Sequence, residues 1–61
     1  MRTFEEIDTI IENLDDTLFE RLSENDYDAF MGDRNAQARF RRALKKAGLT
    51  KEEWEYWAWE N

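Results

Sequence analysis

Fifteen side-chain carboxylates lie among 61 residues, and two close pairs, Asp15/Asp16 and Asp26/Asp28, have the residue types for general acid–base work. Such work needs a concave site of roughly 300 Å³ or more, which a chain this short can hardly enclose. The chain has no His and no Cys, so the usual neutral-pH base and the thiol nucleophile are missing. Ser23 is the only serine, and its spacing to Asp26 suggests a capping role. Asn25-Asp26-Tyr27-Asp28 begins like a calcium loop. Counted from Asp26, however, Met31 and Gln37 stand where that loop requires Gly and Glu. A zinc site built on Cys and His is excluded by composition. The residues therefore imply no enzyme, no metal and no cofactor.

What remains is surface. Residues 1–33 carry eleven acidic and two basic side chains, residues 34–51 seven basic and no acidic ones, and residues 52–61 four acidic and no basic ones; the net charge is −6. Glu5, Asp8, Glu12, Asp15, Asp16 and Glu20, followed by Glu24, Asp26 and Asp28, make a dense negative stretch. A rigid carboxylate array can imitate nucleic-acid phosphates and occupy a partner's basic groove. At 100° per residue, Arg34, Arg41, Arg42 and Lys45 share one broad helical face, with Arg39 and Lys46 on its flanks. That face could contact phosphates, although acidic blocks on both sides oppose it. The simplest expectation for the two blocks is that acidic and basic helices pair within the molecule. Trp54, Tyr56, Trp57 and Trp59 form a third surface, since Trp and Tyr are enriched in interface hot spots. Periodicity assigns Trp54 and Trp57 to the core and leaves Tyr56 or Trp59 for contact, with a self-dimer among the possibilities.

The elements that position these groups are helical. Thr3-Phe4-Glu5-Glu6 is a capping box, and Phe4, Ile7, Ile11, Leu14, Leu18 and Leu22 follow at spacings of three and four. Asp15-Asp16-Thr17 competes for backbone bonds. The stretch 4–22 is therefore either one helix or two pieces broken near 15–17, with Thr17 able to restart the helix. Ser23 suggests a short helix over 24–31, presenting Tyr27, Phe30 and Met31 on one side and ending at Gly32. Asp33 caps a helix over 34–47, with Ala36, Phe40, Ala43, Leu44 and Ala47 as its apolar line and Gly48 just beyond it. Thr50 and Glu53 box the start of a last helix reaching about Glu60, with Leu49 and Trp54 as a hydrophobic staple.

Ile7-Asp8-Thr9, then Leu22-Ser23 with Asn25 and Phe30, then Trp54, resemble in order and spacing the Hha/YmoA family of bacterial nucleoid-modulating proteins. The likeness spans roughly residues 7–57. It implies a small helical protein that modifies a DNA-binding partner without reading DNA itself. The family's acidic-histidine-arginine signature falls near Asn35-Ala36-Gln37, where none of the three residues agrees.

The expectation is a single all-α domain over 1–61, a small bundle of three to four short helices. Its expected role is noncatalytic: a modulator or inhibitor that binds a protein, foremost a nucleic-acid-binding one. Direct nucleic-acid binding through 34–47 is the alternative. Size, acidity and the lack of Cys and His suit an accessory protein of a phage or other mobile element, one that blocks a host nucleic-acid-binding or defence factor. No stretch approaches the roughly 20 apolar residues of a membrane span. Met1-Arg2-Thr3-Phe4-Glu5-Glu6 lacks the apolar run of a signal peptide, which points to the cytoplasm.

Overall fold

Four cap signals divide the chain into four helices. The computed structural model describes residues 1–59: α1 (Phe4–Glu12), α2 (Asp16–Phe30), α3 (Arg34–Ala47) and α4 (Lys51–Trp59), with no strand among the described residues. The expected end of the last helix, Glu60, lies outside them. No described helix is long and apolar enough to cross a membrane. Helices of this length are marginal alone, so packing of their apolar faces must hold them.

Each start satisfies amides that the first turn leaves without partners. The Thr3 hydroxyl accepts from the Glu6 amide at 3.2 Å while the Glu6 carboxylate accepts from the Thr3 amide at 3.0 Å. Asp33 Oδ1 accepts from the amides of Asn35 and Ala36 at 2.9 and 3.2 Å. Thr50 and Glu53 repeat the reciprocal box at 3.1 and 3.0 Å. Gly48 ends α3 in the left-handed region, φ 76°, which a side chain would strain.

The acidic stretch breaks into two helices. The cap of the second is Asp15, whose Oδ1 accepts from the Thr17 amide at 2.7 Å. Thr17 is inside that helix and does not restart it. The separate helix expected over 24–31 does not form either: Ser23 sits exposed in the middle of α2. The reason is the stripe Leu18, Leu22, Asn25 and Ala29, which keeps spacings of three and four straight through Ser23 and gives the longer helix one continuous inner face.

The core gathers Ile7 and Ile11 from α1, Leu22 from α2, Phe40, Ala43 and Leu44 from α3, Leu49, and Trp54 from α4. Trp54 is 2% exposed and meets the rings of Phe19, Phe40 and Trp57 at 5.9, 6.4 and 5.7 Å between centroids. Its indole N–H donates to Asp26 at 3.2 Å, and that of Trp57 to Asp8 at 2.9 Å. The α2–α3 pair is joined by polar side chains, one of them the Arg39 guanidinium. Buried Asn25 accepts from Arg39 Nε at 3.0 Å, and Gln37 donates to the Ala29 carbonyl at 3.3 Å.

Arg2 ties the N-terminus to α4. Its guanidinium donates to the Gly48 carbonyl at 2.9 Å and pairs with Glu53 Oε1 at 3.2 Å. Glu53 is 4% exposed. The Thr50 amide holds its carboxyl below the ordinary value of 4.5, with the amide and charge of Arg2 helping and burial opposing.

Two outcomes follow from these caps and ties. Asp15→Ala should cost about 1 kcal/mol in urea unfolding, whereas Ser23→Ala should change stability by less than about 0.5 kcal/mol. The reverse ranking would restore a helix start at Ser23. Because the Glu53 pKa is depressed on folding, its contribution is present above the unfolded value and is lost as pH falls through the folded one. The stability gap between the wild type and Glu53→Gln should therefore narrow as pH falls below the ordinary carboxylate value of 4.5. A gap that stays constant through acidification would contradict the ionised, hydrogen-bonded role.

Candidate functional site

The structure sorts the carboxylates by helix face. Asp8 and Asp26 turn inward as acceptors for the two indoles, so Asp8 is no free docking group. Asp15 is exposed but spends one oxygen on its cap. Glu5 and Glu12, seven residues apart, are both exposed on the outer side of α1. On α2, Asp16 and Glu20 continue into Glu24 and Asp28, all four exposed and each four residues from the next. They lie opposite the Leu18–Leu22 stripe, about 6 Å apart along the axis. The acid pairs Asp15/Asp16 and Asp26/Asp28 thus do not come together as functional pairs, because each has one member committed to the fold.

This row has a folding cost. Like charges at a spacing of four destabilise a helix by about 0.2–0.5 kcal/mol per pair, and the row contains three such neighbours. Asp28 also stands in the last turn, where the helix dipole disfavours an anion and no basic residue offsets it. No ion pair involves any of the four among the described residues.

The expected pairing of the acidic block with the basic helix is not found. Among the described residues the ion pairs are Arg2–Glu53 and, within α4, Lys51–Glu55 at 3.8 Å. Arg34, Arg41, Arg42 and Lys45 are exposed on α3 with none of them ion-paired. The physical cause is the seam itself. Asn25 and Gln37 occupy the approach between α2 and α3, and the charged rows of both helices point outward.

The aromatic end forms a third surface. Trp59 is 59% exposed and meets Phe30, itself 75% exposed, at 6.1 Å between centroids. Tyr56 is half-buried against Phe4, with an edge-on contact at 5.8 Å, so it serves as packing more than as a free contact. Between the C-terminal half of α2, α3 and α4 runs an open groove of about 910 Å³. It is larger than the chain length suggested, because it is bounded by helix faces and not enclosed. Phe30 was expected with Tyr27 and Met31 on one side of a short helix, but its meeting with Trp59 joins residues 29 apart in sequence and has no local signal.

No protein-family model matches the chain, and no curated protein or solved structure matches it. The surfaces must be read from their own chemistry.

If the α2 row is kept at the expense of stability, Glu24→Gln should stabilise the fold by about 0.5 kcal/mol at low ionic strength, by removing two like-charge neighbours. The gain should shrink as salt is added. A loss of stability in thermal unfolding would show that Glu24 supports the helix after all.

Proposed function

We propose that this chain is a noncatalytic binding module that docks its outward carboxylate row onto the basic groove of a nucleic-acid-binding protein and so modulates or blocks that protein. The observation that carries the reading is the run Asp16, Glu20, Glu24 and Asp28: exposed, unpaired, evenly spaced on one rigid helix, and costly to the fold. Glu5 and Glu12 extend the negative surface on α1. A fixed helix presents its charges without a backbone-ordering cost on binding, which favours affinity. A negative array also steers encounter with a basic partner at long range. The resemblance to nucleoid modulators leads to the same class of partner, a DNA-binding protein, by a different route. A blocking role suits an accessory protein of a mobile element.

Affinity capture from the source cell, with mass-spectrometric identification, tests this reading. The wild type should retain a basic nucleic-acid-binding protein, displaced by duplex DNA or by salt. A variant with Glu12, Asp16 and Glu20 changed to Lys should lose it. Retention unchanged by those reversals would sink the proposal.

A second reading rests on the exposed α3 cations Arg34, Arg41, Arg42 and Lys45, none of them ion-paired among the described residues, which could meet phosphates directly. It predicts a mobility shift of duplex DNA that weakens steeply with salt and disappears in Arg42→Glu/Lys45→Glu. The net charge of −6 opposes it, so the carboxylate reading stands first.

A further inference from the structure

The groove beside Phe30 and Trp59 is not used by the carboxylate row. One wall, from α2 and α3, carries Phe30 and Arg41; the other, from α4, carries Glu52, Tyr56 and Trp59. Tyr27, one turn before Phe30 on α2, and Met31, just past the helix end, are also exposed. Contiguous exposed aromatics of this kind mark an interaction surface.

The charges on the walls indicate the occupant. Asp26 is committed to the Trp54 indole, and Glu55 to Lys51. That leaves Arg41 on one wall and Glu52 on the other, both exposed and neither ion-paired among the described residues. A two-fold axis places each wall against the opposite wall of a second copy. Arg41 then meets the partner's counterpart of Glu52, and Glu52 the counterpart of Arg41, in two reciprocal pairs. A surface with one unpaired charge of each sign on opposite sides of an apolar centre is self-complementary in the way an isologous interface requires. Among the described residues its walls carry three acidic and two basic side chains, so the local charge is closer to balance than on the α2 row and two acidic molecules can approach there.

We infer that this groove is the interface of a weak two-fold homodimer, with the Phe30–Trp59 patch at its centre and Arg41 and Glu52 paired across it. A standard interface of about 800 Å² per partner would cover about a sixth of the 4641 Å² surface. Twelve of the described residues line the groove, short of the roughly 20–30 per side of such an interface, so the dimer is transient. Dimerisation also contributes burial that a 61-residue chain lacks on its own.

Sedimentation equilibrium of the full chain at about 0.15 M salt, where exposed charges are screened within about 8 Å, provides the test. The wild type should shift from one-copy to two-copy mass as loading rises to on the order of 100 µM, near the weak end of known interfaces. Arg41→Glu alone and Glu52→Arg alone should stay monomeric, with far-UV circular dichroism confirming that they fold. An equimolar mixture of the two should regain two-copy mass, because opposite charges then face one another at both pairs. A wild type that stays monomeric throughout, single variants that still dimerise, or a mixture that stays monomeric would each overturn the inference. The same holds if the groove captures a foreign protein while the chain remains monomeric. Neutralising the α2 carboxylate row should leave dimerisation intact, so this result and the capture result can fail separately.

Discussion

The indole of Trp54 is held from three sides, by Phe19 of α2, Phe40 of α3 and Trp57 of its own helix, while its N–H is taken up by Asp26. Burial of such a ring stabilises a protein by about 3–5 kcal/mol, which is a large share of the total for so small a domain. α4 is only nine residues long and could not persist without it. The same clamp sets the spacing between α4 and the α2–α3 pair, and that spacing opens the groove between Phe30 and Trp59. Trp57 repeats the device on a smaller scale, reaching back to Asp8 on α1. Four helices are therefore pinned by two tryptophans and two carboxylates, with Arg2 and Glu53 closing the chain end.

This use of Asp8 and Asp26 divides one acidic block into two populations. Inward carboxylates accept hydrogen bonds and belong to the fold. Outward ones, above all the α2 row, face solvent and oppose helix stability. The cations of α3 could have neutralised that row, but the seam between α2 and α3 is filled by Asn25, Arg39 and Gln37. The molecule consequently keeps a negative face and a positive face apart, with an aromatic groove whose walls carry, among the described residues, Arg41 and Glu52 outside any ion pair.

Much of the fold was legible in local chemistry. Thr3 with Glu6, Asp33, Gly48, and Thr50 with Glu53 act where their side chains meet backbone groups a few residues away, and such bonds can be read from spacing alone. Ser23 misled because a capping pattern is only an offer. The continuous inward face through Leu18, Leu22, Asn25 and Ala29 outbid it, and Asp26 was drawn to an indole 28 residues away. The break near residue 15 was visible, but its cap was Asp15 and not Thr17. The site was less legible than the fold. Phe30, Met31 and Tyr27 were expected on one helix side, and they are exposed there. Their apposition to Trp59, and the half-burial of Tyr56 under Phe4, are long-range consequences of how α4 seats. The absence of pairing between the charge blocks was likewise invisible, since it depends on which faces form the α2–α3 seam.

The central claim is that the outward row of α2 is the docking element. The most direct measurement is the amide chemical-shift map of the isotopically labelled protein, titrated with the basic protein it retains from its source cell. Shifts should follow Asp16, Glu20, Glu24 and Asp28 along α2 and spread to Glu5 and Glu12. Shifts confined to the α3 face of Arg34, Arg41, Arg42 and Lys45, with α2 silent, would contradict that claim.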